Sequence, residues 1–163
     1  MGLAIQAFDP EKRTFTDGSG KCADNDYAID TNLFIAFWDE DPALSEAAQT
    51  ALDGSLVVAA PVFAELIAAP GRTEAFVSSF LEKTGVAIDW DLGEPVWRSA
   101  GRAFQSYARR KQRDSGARRI LADFLIGADA QTRGYRLLTL DERLYKAAFP
   151  TLRLETVCPG PRR

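Results

Sequence analysis

Histidine is absent from the 163 residues of this sequence. Its absence excludes Ser-His-Asp and Cys-His nucleophilic sites, RNA cleavage by paired histidines, and every zinc site that needs a histidine ligand. Hydrolytic chemistry would therefore have to use carboxylates, lysines or a metal ion held by carboxylates. Cysteine is scarce: Cys22 and Cys158 lie near opposite ends of the chain and form no disulfide framework, which fits a reducing cytoplasm.

Long apolar runs are also lacking. No segment approaches the roughly 18–20 apolar residues that a membrane-spanning helix needs, and the N-terminus does not have the pattern of a secretory signal. The composition, 46% hydrophobic and 26% charged residues, is that of an ordinary globular protein of one domain. We therefore predict a cytoplasmic protein without membrane contact.

Apolar segments and helical segments alternate along most of the chain. Residues 27–30 form a predicted strand that stops at Asp30, and a helix starts at once with the capping residues Thr31 and Asn32. Further strands are expected at 56–60, 86–88, 136–141 and 152–154, with helices between them, including one at 41–52. This alternation predicts an α/β fold whose parallel sheet is covered on both faces.

The two ends of the chain carry no motif. We expect residues 1–26 to form an N-terminal extension without stable order, residues 27–155 to form the domain, and residues 156–163 to form an irregular tail.

Acidic residues recur at the positions where such a sheet would bind a ligand. Asp30 and Asp141 are predicted at the carboxyl ends of strands, and Glu65 and Asp123 near the amino ends of helices that face the same edge. Taken singly, Asp30 could be a helix cap and Glu65 a solvated acid. Together, four carboxylates in one cleft repel one another and are tolerable if they take up protons or bind a divalent cation, and all-oxygen ligands favour Mg²⁺ or Mn²⁺.

Basic residues are concentrated in one stretch. The segment 98–119 carries eight basic residues and one acid, so its net charge is +7 in a protein whose net charge is −3. It includes Arg109, Arg110, Arg113, Arg118 and Arg119, which are candidate RNA contacts. A solvated helix face or a contact with a dimer mate would account for these arginines as well.

These residues together resemble a known family. Asp30-Thr31-Asn32, the lone helical Glu65, the segment 122–128 and the segment 138–141 are similar to the motifs of PIN-domain ribonucleases, more narrowly the VapC-type toxins of bacterial toxin–antitoxin pairs. The resemblance covers about residues 27–155. It implies a three-layer α/β/α sandwich with a parallel central sheet, and a metal-dependent endoribonuclease that hydrolyses RNA through a metal-activated water.

The resemblance also implies roles for single residues. Asp30, Glu65, Asp123 and Asp141 take the places of the catalytic, Mg²⁺- or Mn²⁺-binding acids, and Asn32 and Thr139 match polar positions that support them. It further implies a homodimer and a cognate antitoxin protein.

One position departs from the pattern. Asp129 stands where close relatives often carry histidine, and we expect it to support the site from outside or to face solvent. The alternative function is a non-catalytic module on the same fold that binds nucleic acid or protein. A haloacid-dehalogenase-type phosphatase is disfavoured, because Asn32 replaces the second acid that it needs.

Overall fold

The computed structural model describes residues 8–9, 14–15, 26–38, 55–111 and 121–156. Seven strands are present in this part of the chain: Phe8–Asp9 (β1), Thr14–Phe15 (β2), Asp26–Ile29 (β3), Ser55–Ala59 (β4), Ala87–Asp89 (β5), Arg136–Thr139 (β6) and Leu154–Thr156 (β7). The helices in the same residues are Thr31–Trp38 (α1), Ala60–Ala68 (α2), Glu74–Thr84 (α3), Gly93–Lys111 (α4), Leu121–Arg133 (α5) and Glu142–Ala148 (α6). β1 and β2 pair with each other as a short antiparallel ladder.

The other five strands form one parallel sheet in the order β5-β4-β3-β6-β7. The central strands β3, β4 and β6 are almost entirely buried, which their continuous apolar runs predicted. Helices α1, α2 and α3 contact one another in sequence, and α4, α5 and α6 form a second contacting group. The predicted α/β class with a parallel sheet between two helical layers is therefore confirmed.

Capping residues, proline and glycine mark the ends of several helices. Thr73 caps α3 by accepting the backbone N–H of Phe76 at 3.2 Å, and Gly85 ends that helix with a φ of 70°. Pro61 lies in the first turn of α2, where backbone N–H groups have no partner within the helix, so the N–H that proline lacks costs no hydrogen bond. The helix expected at 41–52, the extension up to residue 25 apart from β1 and β2, and the tail beyond residue 156 lie outside the described residues.

Gly127 allows a close approach between α5 and α6. A Cβ atom built on Gly127 would lie 2.5 Å from Cε2 of Phe149 and 3.1 Å from Cδ1 of Tyr145. Aromatic rings therefore occupy the space beside this glycine.

We predict that Gly127→Ala lowers the free energy of unfolding by about 1–3 kcal/mol, because the added methyl group overpacks the contact with Phe149. Gly101→Ala is the matched control. Gly101 is also helical and its Cβ would meet nothing within 4 Å, so alanine should leave stability equal or raise it by up to about 1 kcal/mol. Urea unfolding of both variants tests this; equal effects at the two sites would contradict it.

No helix in the described part of the chain combines the length and apolar character required to cross a lipid bilayer.

Candidate metal site in an acidic pocket

Two acids follow neighbouring strands at the point where the strand order reverses. From β3 the chain moves outward to β4 and β5, and it then returns to the other side of β3 as β6. Asp30 directly follows β3 and is buried, whereas Asp141 lies two residues beyond β6 and is exposed. The reversal opens a crevice beyond the carboxyl ends of the strands, which is where parallel sheets bind ligands.

One pocket of about 450 Å³ at this crevice brings the predicted acids together. Helix α2 contributes Glu65 and the first turn of α5 contributes Asp123. The lining residues are Asp30, Thr31, Asn32, Ile35, Glu65, Ala68, Ala69, Pro70, Asp123, Asp141, Leu144 and Tyr145. Four of them are acidic and none is lysine or arginine, so the pocket lining contains no fixed positive charge.

Asn32 and Thr139 fix the orientation of the buried Asp30 carboxylate. Oγ1 of Thr139 donates to Oδ2 of Asp30 at 2.7 Å, and Nδ2 of Asn32 donates to the same oxygen at 2.9 Å. The Asn32 amide also reaches β6, because its Oδ1 accepts the backbone N–H of Leu140 at 3.2 Å. The two polar residues therefore join the ends of β3 and β6 behind one carboxylate, Asp30.

Thr31 holds the second acid. Its hydroxyl donates a short hydrogen bond to Oε2 of Glu65, across 34 positions of sequence. The sequence suggested Thr31 and Asn32 as helix caps, but both direct side-chain hydrogen bonds across the site.

Asp141 serves as a helix cap as well as lining the pocket. Its Oδ1 accepts the backbone N–H of Arg143 at 3.0 Å, which makes it the N-cap of α6. The predicted strand 136–141 is two residues shorter than expected, because Oγ1 of Thr139 accepts the N–H of Asp141 at 3.1 Å and turns the chain there.

Burial and the proximity of other acids raise the pKa values of carboxyl groups in the pocket. Burial, and after it the negative charges of Asp30, Glu65 and Asp141, together raise the pKa of Asp123 to about 7. Burial also raises the pKa of Asp30, although hydrogen bonds from Thr139 and neighbouring groups act against the shift. Both shifts show that the pocket disfavours its own negative charges when no cation is present.

Tyr145 lines the pocket but was not among the site residues predicted from the sequence. Its hydroxyl is buried, and no group in the described residues meets it in good hydrogen-bond geometry, although it lies near enough to Asp30 to lower the pKa of that carboxyl. Burial and the surrounding acids raise the pKa of the phenol itself. Its position four residues after Asp141, one helical turn further along α6, was the available signal.

The donor set suits a hard divalent cation, but it is not a closed cage. Among the described residues, no three acidic or cysteine side chains are already arranged so that they could hold one ion together. Mg²⁺ does not require such a cage, since it keeps several waters and is usually held by one or two carboxylates. The carboxylate oxygens and the absence of positive charge from the lining therefore fit Mg²⁺ or Mn²⁺.

The structure describes two of the five arginines that were predicted to contact RNA. Arg109 is exposed near the end of α4, while Nη2 of Arg110 donates to the backbone oxygen of Ala147 at 2.7 Å and so helps to hold α6. Arg113, Arg118 and Arg119 lie outside the described residues. Neither Arg109 nor Arg110 lines the acidic pocket.

Asp129 belongs to a different, buried cluster. It is 1% exposed and pairs with Nε of Arg133 at 2.7 Å, while a second guanidinium nitrogen of Arg133 pairs with Asp89. Burial raises the pKa of Asp129 to about 6, with Arg133 acting against the shift. The expectation that Asp129 faces solvent is wrong; it holds the end of α5 to the end of β5.

Family comparison identifies the class of protein. The sequence model of the PIN domain matches residues 27–150, so the chain belongs to the PIN domain family. PIN domains are generally nucleases, which are hydrolases. The resemblance stated from the motifs is thereby confirmed at the level of the family.

Several solved structures share this fold. The chain is similar to DNA-bound VapBC from Salmonella typhimurium, with 18% identity, a TM-score of 0.58, and coverage of 82% of this chain and 98% of that chain. For VapBC-1 from nontypeable Haemophilus influenzae the identity is 18%, the TM-score 0.59 and the coverage 80% and 97%. For FitAcB from Neisseria gonorrhoeae the identity is 18%, the TM-score is 0.56, and the match covers 78% of this chain and 95% of that chain. A search of curated proteins finds no match.

Proposed function

We propose that the protein is a metal-dependent endoribonuclease that hydrolyses RNA phosphodiester bonds, and that it acts as the VapC-type toxin of a toxin–antitoxin pair. The observation that carries the proposal is the pocket in which Asp30, Glu65, Asp123 and Asp141 converge without a basic residue in the lining. Membership of the PIN domain family supports nuclease chemistry. The likeness to VapBC and FitAcB complexes supports an antitoxin partner. We expect the protein to act in the cytoplasm.

The side chains of the pocket have distinct roles in this proposal. Asn32 and Thr139 both donate to Oδ2 of Asp30 and so orient the carboxylate that would ligate Mg²⁺ or Mn²⁺. Thr31 holds Glu65 at Oε2, which leaves Oε1 to ligate the cation or to take a proton from the attacking water. A bound divalent cation supplies Lewis-acid stabilisation of the charge that develops on the phosphodiester.

The other two acids complete the set. Asp123 would hold the principal cation together with Asp30, and the exposed Asp141 would help to hold a second, more weakly bound cation. Asn32 and Thr139 are positioning residues, because they hold the Asp30 carboxylate and do not themselves reach into the reaction. The protein is expected to act as a homodimer.

We predict that MgCl₂ or MnCl₂ stabilises the protein against thermal unfolding. A cation that binds only the folded state adds about 2.7 kcal/mol to the free energy of unfolding at 100 times its dissociation constant. The Asp30→Asn variant should lose most of this stabilisation. Differential scanning calorimetry in EDTA and in each chloride measures it, with MgSO₄ as a check on the anion.

The same measurement has an expected pH dependence. The pKa of Asp123 is 3.8 in the unfolded chain and about 7 in the metal-free folded chain. Between these two pH values the folded chain keeps a proton on Asp123 that the unfolded chain has lost, and binding of this proton favours the folded state. The contribution is present below pH 4 and is lost as the pH rises towards 7. Added MgCl₂ should therefore stabilise more at pH 8 than at pH 5.5. No stabilisation by either cation at pH 8, together with RNA binding without cleavage, would favour the non-catalytic binding module instead.

A further inference from the structure

The side chain of Arg72 is a cation that aromatic rings hold in a defined place. Arg72 follows Ala69 and Pro70, which line the pocket, by only a few residues. Its guanidinium carbon lies 4.9 Å from the ring centroid of Trp38 and 5.3 Å from that of Phe76. The rings belong to α1 and α3, so the arginine side chain contacts both of these helices.

The backbone that presents Arg72 is fixed from both sides. The N–H of Arg72 donates to the carbonyl oxygen of Ala69 at 3.2 Å, with Pro70 and Gly71 between them and a φ of 74° at Gly71. Proline followed by a glycine with positive φ is the residue pair of a type II turn. Thr73, the next residue, is the N-cap of α3. Arg72 therefore lies between a hydrogen-bonded turn and the start of a helix, so its backbone position is defined.

No carboxylate satisfies this arginine in the part of the chain that the structure describes. Arg98, Arg133 and Arg136 form ion pairs there, but none involves Arg72. A guanidinium stacked on aromatic rings keeps the N–H groups at its edge available as donors, and their planar arrangement matches the oxygens of a phosphate. Within the described residues, the side chain therefore keeps donors available for an anionic ligand.

We propose that Arg72 binds a backbone phosphate of the RNA strand and so positions the strand across the acidic pocket; this inference rests on the proposed ribonuclease function. The four acids repel a polyanion, and a fixed cation two residues after the pocket-lining Pro70 supplies attraction without neutralising the metal ligands. Arg72 is a positioning residue, and it is better placed for this than Arg110, which is bonded to Ala147.

The test measures RNA binding apart from cleavage. Full-length chains that carry Asp123→Asn are titrated in MgCl₂ with a fluorescein-labelled, 12-nucleotide single-stranded RNA of mixed sequence, at several NaCl concentrations. Arg72→Gln should weaken binding by about 10-fold, the factor that loss of a charge-assisted hydrogen bond gives. The slope of log K against log salt should become shallower by about 0.7, the value for one phosphate contact on a single strand.

Two variants separate position from charge. Arg102→Gln removes the same charge from an exposed site on α4 and should leave affinity and slope nearly unchanged. Arg72→Lys should keep the salt slope but lose part of the affinity, because lysine keeps the charge without the planar donor set. Equal losses in Arg72→Gln and Arg102→Gln would show a general charge effect and overturn the assignment.

Failure of this inference and failure of the proposed function give different results. If the unmodified chain cleaves RNA with MgCl₂ and Arg72→Gln binds RNA as tightly as its parent, only the role of Arg72 is overturned. If the unmodified chain neither cleaves nor binds RNA, the proposed function itself falls. Loss of poly-L-glutamate binding in Arg72→Gln, with RNA binding intact, would assign the arginine to an acidic protein partner and overturn the RNA contact.

Discussion

Asp123→Asn is expected to reduce metal-dependent RNA cleavage by about 10³-fold or more, the scale of removing one group from a catalytic unit. The amide has the shape of the carboxylate but lacks the charge that holds the cation. The fold should survive, because the Asp123 charge is disfavoured by burial and by three neighbouring acids. A labelled RNA incubated with MgCl₂, with single-turnover rates compared, measures the loss.

The control is an acid outside the pocket. Glu82 is exposed on α3 and does not line the site, so Glu82→Gln should cleave at the rate of the unmodified chain. Thermal unfolding in EDTA at pH 8 should show Asp123→Asn at least as stable as the unmodified chain, since one repelled charge is gone. Cleavage at an unchanged rate in Asp123→Asn would contradict the assignment of this residue to the catalytic site.

Arg133→Met is expected to lower the free energy of unfolding by about 3–5 kcal/mol, the cost of leaving buried charges without their partner. The Arg133 side chain is 12% exposed, and it pairs with Asp129 and Asp89, whose side chains are 1% and 8% exposed. Methionine fills a similar volume but leaves two carboxylates facing one another in an apolar setting. Urea unfolding at pH 7.5 measures the effect.

A double variant identifies the cause. Adding Asp129→Asn to Arg133→Met removes one of the two carboxylate charges that have lost their arginine partner. Part of the lost free energy of unfolding should therefore return. Lower pH should also restore stability to the single variant, because protonation of Asp129, whose pKa is already raised to about 6, removes its charge. A loss below about 1 kcal/mol in Arg133→Met would mean that the pair behaves as a solvent-exposed one.

The fold could be predicted from local features of the chain. Apolar runs such as 56–59 allow little except a buried strand, and Pro61, Thr73 and Gly85 mark helix ends through backbone chemistry that acts within a few residues. The alternation of strands and helices then leaves few topologies, since crossovers between parallel strands are right-handed. The end of β6 was less predictable, because Thr139 turns the chain through a side-chain bond to Asp141.

The acids of the candidate site could be predicted for a different reason. In a parallel sheet the residues after each strand meet at one edge, so Asp30 and Asp141 were expected together before any coordinates were known. The supporting contacts could not be predicted in this way. The bond from Thr31 to Glu65 and the pairing of Arg133 with Asp89 depend on how helices lie across the sheet, and sequence spacing does not encode that. Arg72 was missed because its aromatic neighbours come from two separate helices.

The return of the chain to the far side of β3 has a consequence during synthesis. Asp30 leaves the ribosome early, but Asp123 and Asp141 are added near the end of the described chain, and β6 cannot pair with β3 before then. At about 5–20 residues per second, many seconds separate the first acid from the last. A nascent chain therefore lacks a complete acidic pocket until β6 has been synthesised and has paired with β3.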